Sequence, residues 1–584
     1  MLNNLLFGVD IQWFISVFSE IQTGVYVKVT KNSAGQTYYH LVESYWEGGK
    51  SRQRTLLSLG RAGEDRMEEV VSAISKHKEI FTVLELAKSI SIEETYILGP
   101  LLVLERLFER SGIGKMLGEI ALKHPKLGFG LMKLVFTMVA SRFVRPGSKL
   151  KVYEHWQRRL YPEMIEGTVE LHQLYRALDV LALHKEEIEE KLFWHGKDLF
   201  SLEVDVVLYD LTTLRFESVR TDLGNLRQFG YSKERRSDCT QVVLGLLVTP
   251  EGIPLGFEVY PGNTFEGKTV ADIIKKMRQK FKVRRFIFVG DRGLFSRKNL
   301  EVMRGDDQET HGEFIVGMKL GVFKDRHREF YDRSRYRWIS AELAVYETTH
   351  EGDRCIITWS RARAERDRKA REDILNKIRK KLAKKKITAK TFVTNKTYQR
   401  YVTGLNVGSP SDAVDANGKG FKLNESAIAE DAARDGYFGV LTNVTDLKAE
   451  EIVANYKTLW IIEDSFGEIK GTLKARPVFH WSDQRIVGHL VLCFLAYLCE
   501  ALMTKALREK GLFLESPAIE DEIIKPRPLT VVEAMRDLQE VRAIPVKVRS
   551  YTMWVRTDIN GNAAKLFSAI GLKVPPKVLN FAKT

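Results

Sequence analysis

Two short apolar runs, each closed by an aspartate, constrain the fold of this chain more than any other feature of its sequence. The run Val204–Tyr209 leads to Asp210, and the run Phe286–Gly290 leads to Asp291. Short runs rich in valine, isoleucine and aromatic residues predict buried strands. A carboxylate just past a buried strand is held at a rigid rim while its charge still reaches solvent or a metal ion. We therefore expect an α/β protein in which these two aspartates carry chemistry.

A third acid, Glu463, lies in a segment with helical periodicity, Ala449–Lys470. Tyr456, Glu463 and Lys470 are spaced by seven residues, nearly two helical turns, which predicts that they share one stripe of the helix. Three converging carboxylates would form an oxygen cage suited to Mg²⁺. Two such ions are a common device for cleaving phosphodiester bonds. The alternative is that these polar residues form an ordinary solvent-facing stripe.

The elements around the first two acids have a recognisable order. We expect strand Val204–Leu208 to be followed by a second strand, Leu211–Phe216, then by strands Gln241–Val248 and Ile253–Tyr260, helix Thr269–Phe281 and strand Arg285–Val289. A β-β-β-α-β order is how an RNase H-like domain begins. Its first acid lies on the first strand and its second acid on the last.

Changes in composition along the chain predict seven segments. They are an N-terminal extension (1–24), a small β-hairpin region (25–66), a helical region (67–200), the first part of the core (201–310), an insertion (311–435), the second part of the core (436–510) and a C-terminal helical tail (511–584). The hairpin region carries Lys50, Arg52 and Arg54, and it is either a plain surface meander or a DNA-touching hairpin. The helical region is rich in arginine and lysine, and it is either a DNA-binding domain or a solvated helical surface.

Positive charge is concentrated in one part of the insertion. The formal net charge is +15, and the predicted helix Arg361–Lys390 holds fourteen Lys/Arg against four Asp/Glu, a net +10. This imbalance is too large for pairing within the helix and favours contact with DNA phosphates, with Lys384, Lys385 and Lys386 as the clearest candidates. The alternative is a solvated charged face.

The remaining composition indicates a protein of a reducing cytoplasm. The four cysteines form no CxxC pair, so we expect no structural zinc site. The apolar N-terminus carries Asp10 and lacks both a basic start and a small-residue cleavage site, so it is not typical of a signal peptide. We expect no membrane span, because no run of about 18 uncharged apolar residues occurs.

Several motifs carry a resemblance to a known family. They are Tyr209–Thr213, Gly230–Lys233, Gly256–Thr264, Asp291–Gly293, Tyr456–Lys470 and Ala475–Trp481. Together they resemble the bacterial DDE transposases of the insertion-sequence-4 superfamily, and most of all its insertion-sequence-1634 branch, over roughly residues 25–505. The family pattern Y-x2-R-x3-E-x6-K is met by Tyr456, Glu463 and Lys470, but Leu459 stands where the arginine is expected. That departure puts one phosphate contact in question and leaves the three acids intact.

The resemblance implies a cut-and-paste DNA transposase with an RNase H-like core, interrupted by a β-rich insertion between the second aspartate and the glutamate. Asp210, Asp291 and Glu463 would hold two Mg²⁺ or Mn²⁺ ions and cut the ends of the element. The freed 3′-hydroxyl would then attack the opposite strand or target DNA. Partners would be double-stranded DNA, as terminal inverted repeats and as target, and a second copy of the chain in a synaptic homodimer.

Contacts with DNA would come from Tyr456, Lys470 and the basic run. Trp460 is a candidate stacking platform for a flipped base, although a buried core tryptophan is the reading that the sequence favours. Two other functions stay open. One is a metal-dependent nuclease without strand transfer, and the other is an inactive, transposase-derived DNA-binding regulator, against which the intact acids argue.

Overall fold

The structure, a computed structural model, describes residues 25–47, 50–61, 90–92, 94–167, 169–200, 206–222, 224–231, 236, 238–265, 269–283, 285–305, 312–383, 392, 395–403, 421–513, 527–548 and 551–583. The chain forms two compact units. The first consists of Met1–Glu94, Ile544–Val555 and Val578–Thr584, and the second consists of Thr95–Ala543 and Arg556–Lys577.

The first unit contains the antiparallel sheet predicted near the N-terminus. Its strands are Val25–Lys31, Thr37–Glu47 and Lys50–Arg61, paired in chain order. A tight turn joins the first two strands: the Asn32 side-chain oxygen accepts from the backbone N–H of Ala34 at 3.0 Å, and Gly35 has a φ of +75°. Arg52 and Arg54 form ion pairs with acids of the neighbouring strand.

The second unit is built around one nine-stranded sheet. In chain order its strands are β1 (Val206–Arg215), β2 (Gln241–Val248), β3 (Pro254–Pro261), β4 (Ile287–Gly290), β5 (Glu313–Met318), β6 (Arg337–Ser340), β7 (Leu343–His350), β8 (Asp353–Ser360) and β9 (Tyr437–Thr442). The spatial order is β6-β7-β8-β9-β5-β4-β1-β2-β3. Strands β1, β4 and β5 are mutually parallel, and all other neighbours are antiparallel.

The predicted β-β-β-α-β order is confirmed, with one correction. The sequence predicted one strand before Asp210 and a second strand after it, whereas β1 is a single strand that runs through Asp210. The reason is pairing: β2 follows β1 from Leu208 to Arg215 without a break. All eight residues of β2 are buried, as its continuous apolar run predicts for a central strand.

Helices cover the sheet and build the rest of the second unit. They are α1 (Gly99–Arg110), α2 (Ile113–Leu122), α3 (Leu131–Val144), α4 (Leu171–Leu183), α5 (Lys185–Phe200), α6 (Val270–Lys275), α7 (Arg297–Arg304), α8 (Arg361–Leu382), α9 (Lys396–Tyr401), α10 (Glu425–Ala432), α11 (Ala449–Lys457), α12 (Trp460–Gly467), α13 (Asp483–Glu509), α14 (Val531–Leu538) and α15 (Gly561–Ala569). Wider π-helical turns extend α6 over Lys276–Lys280 and α12 over Glu468–Thr472. Helices α1, α3 and α4 lie within the predicted helical region 67–200.

Helix α13 forms the centre of the helical core. A Cβ at Gly488 would lie 2.0 Å from the carbonyl oxygen of Leu178, so only glycine lets α13 approach α4 this closely. On the sheet side, the rings of Phe494 and Phe257 lie 5.4 Å apart. By length and composition α13 could cross a membrane, but 94% of its most apolar stretch is buried inside the protein, and a core helix meets the same criteria.

The predicted C-terminal helical tail is wrong in part. Alongside α14 and α15, the segment contains strands Arg542–Val548, Tyr551–Arg556 and Val578–Lys583. The physical reason is a content of branched and aromatic residues, such as Ile544 and Val546 in the first strand and Trp554 and Val555 in the second, which favours extended backbone. The predicted basic helix begins at Arg361 as expected and ends at Leu382 as α8.

Candidate active site

Asp210 and Asp291 sit on neighbouring parallel strands. The β1–β4 register pairs Leu208 with Val289, and two further steps along both strands bring Asp210 beside Asp291. Asp210 is half-buried within β1, because that strand continues past the point where β4 ends at Gly290. Asp291 is exposed, and one of its carboxylate oxygens accepts from the backbone N–H of Gly293 at 2.6 Å. This Asx turn fixes the second acid at the rim of the sheet.

Glu463 approaches the same place from a helix. It is exposed in the first turn of α12, whose buried side carries Ile462, Ser465 and Phe466. Asp210, Asp291 and Glu463 all line one cleft of about 550 Å³, which we call the acid cleft. Two adjacent strands and a helix that follows the insertion therefore bring together the three acids singled out in the sequence.

Tyr456 also lines the acid cleft. Its ring packs on Phe438 with centroids 4.8 Å apart, and a Cβ at Gly317 would lie 2.5 Å from its hydroxyl oxygen, so that glycine makes room for the phenol. The pKa of Tyr456 is raised to about 12, mainly by burial and also by the carboxylates of Asp291 and Glu463. The phenol therefore lies within electrostatic reach of two of the three acids.

The predicted single stripe of Tyr456, Glu463 and Lys470 is wrong. Helix α11 ends at Lys457, α12 begins at Trp460, and the π-helical turn starts at Glu468. A π turn takes more residues than an α turn, so seven residues no longer return a side chain to the same face. The Lys470 ammonium donates instead to the hydroxyl of Thr212, two residues beyond Asp210 and on the same face of β1.

Trp460 differs from the favoured expectation of a buried core residue. Its side chain is 55% exposed and lines the acid cleft. The start of α12 explains this position, since Ile462 and Phe466 take the inward side of the short helix. Leu459, the residue that replaces an arginine in the family pattern, also lines the acid cleft.

The positive side chains in the acid cleft were not singled out in the sequence. Arg363 and Arg366 reach it from the first two turns of α8, and Lys457 reaches it from the end of α11. The sequence pointed to the whole basic run, but only the sheet order reveals which part of it meets the acids. Lys384, Lys385 and Lys386, the predicted phosphate contacts, lie outside the described residues.

A second acidic cluster has a different character. Among the described residues, Glu186, Glu189 and Glu258 are the one group of three metal-ligating side chains whose ligand atoms all lie within 4.8 Å of one another. Lys276 and Lys280 contact the buried Glu189 at 2.6 and 2.7 Å. Burial alone would raise the pKa of Glu189, but Lys276, Lys185 and Lys280 lower it. The lysines already neutralise this cluster, which is an ion-pair network joining α5 to the sheet.

Comparison with known proteins agrees with this arrangement. Residues 203–499 match the Transposase DDE domain family, and residues 27–86 match the IS1634 family transposase, N-terminal domain. No match was found among curated protein sequences. Among solved structures, the chain is similar to a piggyBac transposase synaptic complex with hairpin DNA, at 10% identity and a TM-score of 0.34, over 76% of this chain and 79% of that one. The family match covers half of the chain and all three acids of the cleft, and the protein is therefore a DDE transposase of the IS1634 type.

Proposed function

We propose that the protein is a cut-and-paste transposase that cleaves the ends of its element and joins them to target DNA, with Asp210, Asp291 and Glu463 as its catalytic acids. The observation that carries this proposal is the convergence of the three acids on one cleft. In the described residues no ion pair involves Asp291 or Glu463, so basic side chains do not neutralise these two acids as they do the Glu189 network.

The catalytic core is proposed to be RNase H-like. Strands β3-β2-β1-β4-β5 run in that spatial order, with β1, β4 and β5 parallel. The chain then leaves through β6, β7, β8 and α8 before returning as β9 and α12. This path supports a core interrupted by an insertion between its second and third acids.

DDE transposases use divalent metal ions, and the donor set of the acid cleft fits them. Three carboxylates offer only oxygen ligands, which Mg²⁺ and Mn²⁺ prefer. We propose that Asp210, Asp291 and Glu463 hold two such ions. When bound, the ions would activate the attacking oxygen and stabilise the leaving one.

The protein's own side chains would bind and orient the DNA. Tyr456 and Lys470 would contact phosphates beside the acids, and Lys384, Lys385 and Lys386 would contact other phosphates of the duplex. Trp460 offers an exposed indole on which a base could stack. We propose terminal inverted repeats and target DNA as substrates and a homodimeric synaptic complex as the active assembly, in the cytoplasm of a prokaryotic cell.

A pair of near-isosteric substitutions tests the acids. Asp291→Asn keeps the oxygen that accepts from Gly293 but removes the charge. Glu463→Gln likewise removes a negative charge, from α12. The matched control is Asp464→Asn, because Asp464 is an exposed neighbour that does not line the acid cleft. Cleavage of labelled transposon-end DNA in Mg²⁺ should fall by more than about 100-fold in the first two variants, since even outer-shell changes cost about 10- to 100-fold. Binding of the ends should remain.

The product analysis decides between transposase and nuclease. A strand-transfer assay with a supercoiled target should yield joined products from the wild type and none from Asp291→Asn. Cleavage without joined products would favour the nuclease. Cleavage at the wild-type rate by Asp291→Asn would refute the assignment of the acids.

A further inference from the structure

The acid cleft has a cationic wall as well as an acidic one. Helix α8 begins at Arg361, directly after strand β8, and Thr358 and Ser360 at that junction line the cleft. Arg363 and Arg366 follow within the first two turns of the helix and line the same space. The positive end of the α8 dipole adds to their field.

The two guanidinium groups are held differently. Arg363 lies over the ring of Phe438 with its guanidinium carbon 5.0 Å from the centroid, and it pairs with Asp367 at 3.7 Å. Its Nε is buried without a hydrogen-bond partner. Arg366 is exposed, and within the described parts of the chain it makes neither a hydrogen bond nor an ion pair. One arginine is therefore fixed by packing, and the other is available to a ligand.

The arginines do not neutralise the acids that share their cleft. In the described parts of the chain, no ion pair within 4.0 Å joins Arg363 or Arg366 to Asp291 or Glu463. Burial lowers the pKa of Arg363, and the neighbouring charges of Arg292 and Arg366 lower it further, against the opposing effect of Asp367. Cations crowded together across a cleft from the acids form a site suited to an anion, and the planar guanidinium matches the geometry of phosphate oxygens.

We propose that Arg363 and Arg366 form a phosphate-binding site that holds a DNA phosphodiester across the cleft from Asp210, Asp291 and Glu463. Arg366 contacts the phosphate directly, and Arg363, fixed on Phe438, is a positioning residue. The identity of the ligand as DNA rests on the proposed transposase function. The insertion thereby supplies part of the substrate site itself.

Arg366→Gln tests this site, because the residue is exposed and its loss should not disturb folding. The matched control is Arg368→Gln on the same helix, where the guanidinium is bonded to Glu365 at 2.5 Å. Affinity for transposon-end duplex is measured by fluorescence anisotropy over a range of NaCl concentrations, and cleavage is measured at saturating protein. A charged hydrogen bond predicts about 10- to 150-fold weaker binding for Arg366→Gln. The slope of log affinity against log salt should flatten by about 0.9 per lost contact.

The control should keep the wild-type salt slope and the wild-type cleavage rate. Arg363→Lys keeps the charge but loses the planar group, so it should cut more slowly than the wild type while its salt slope stays unchanged. Inorganic phosphate, titrated at constant ionic strength, tests whether the site binds free phosphate rather than DNA. The proposal expects added phosphate to weaken DNA binding no more in the wild type than in Arg366→Gln.

Two failures can be told apart. Equal salt slopes, affinities and cleavage rates for Arg366→Gln and Arg368→Gln, in a protein that cuts normally, overturn the phosphate site alone. A wild-type protein that cuts no end DNA in Mg²⁺ overturns the transposase function. The salt slopes then still decide whether Arg366 binds a DNA phosphate.

Discussion

Glu500 should make the second unit less stable as the pH rises towards neutrality. It lies on α13 with only 7% of its surface exposed, and the hydroxyl of Thr504 donates to it at 2.7 Å. The pKa of Glu500 is raised from 4.5 to about 7, mainly by burial and also by the nearby carboxylates of Glu468 and Asp464, although the hydrogen bond from Thr504 lowers it. The folded protein therefore keeps a proton on this side chain over a pH range in which the unfolded chain has lost it.

The sign and size follow from proton linkage. A carboxyl group with a raised folded-state pKa contributes stability that is complete below pH 4.5 and is lost as the pH rises through about 7. At about 1.4 kcal/mol per pH unit, the loss approaches about 3 kcal/mol at pH 8. The unfolding entropy of the roughly 470 residues of the second unit is about 1 kcal/mol/K, so this loss corresponds to about 3 °C.

Glu500→Gln removes the titrating group and keeps its shape. Differential scanning calorimetry should therefore give a variant that melts close to the wild type at pH 5 and about 3 °C above it at pH 8. Glu509→Gln, at the exposed end of the same helix, is the control and should show no such pH-dependent gap. The reasoning is refuted if the difference between Glu500→Gln and the wild type is the same at both pH values.

Two further changes test Lys470, which contacts Thr212 near Asp210, and Trp460, which lines the acid cleft. Lys470→Met removes the ammonium that donates to Thr212 near Asp210. It should slow cleavage of end DNA by about tenfold or more, since charged hydrogen bonds are worth about 1.5–3 kcal/mol. A wild-type rate and cleavage position would exclude Lys470 from the active site. Trp460→Ala should leave the melting temperature nearly unchanged, because the side chain is exposed. In anisotropy titrations it should weaken binding of end DNA that has an unpaired base at the cleavage site by about 5- to 150-fold. A large fall in melting temperature with unchanged binding would mean that the indole is structural.

The acids could be found from the sequence because their signals are local. An apolar run closed by an aspartate marks a strand and its rim within six or seven residues, and so the positions of Asp210 and Asp291 and the order of strands around them were predicted. The length of β1 was not, because it is set by pairing with β2, a partner far along the chain.

The helix carrying Glu463 shows the limit of periodicity. Seven-residue spacing assumes one regular helix, but the break after Lys457 and the π turn at Glu468 change the angle between Tyr456 and Lys470. The meeting of Arg363 and Arg366 with the acids is set entirely by sheet order. No local pattern distinguishes them from the other arginines of α8.

Strand β9 has a consequence for how the protein is made. It lies between β5 and β8 in the sheet, yet it is synthesised after β6, β7, β8 and the basic helix. A growing chain that has emerged only as far as residue 430 lacks the strand that joins the insertion to the core, and it also lacks Glu463. Premature termination anywhere in that interval would leave a product with at most two of the three acids. Under the proposed function, such fragments would keep the basic helix α8 but lack Glu463, so they would bind the ends of the element without cutting them and would compete there with the complete enzyme.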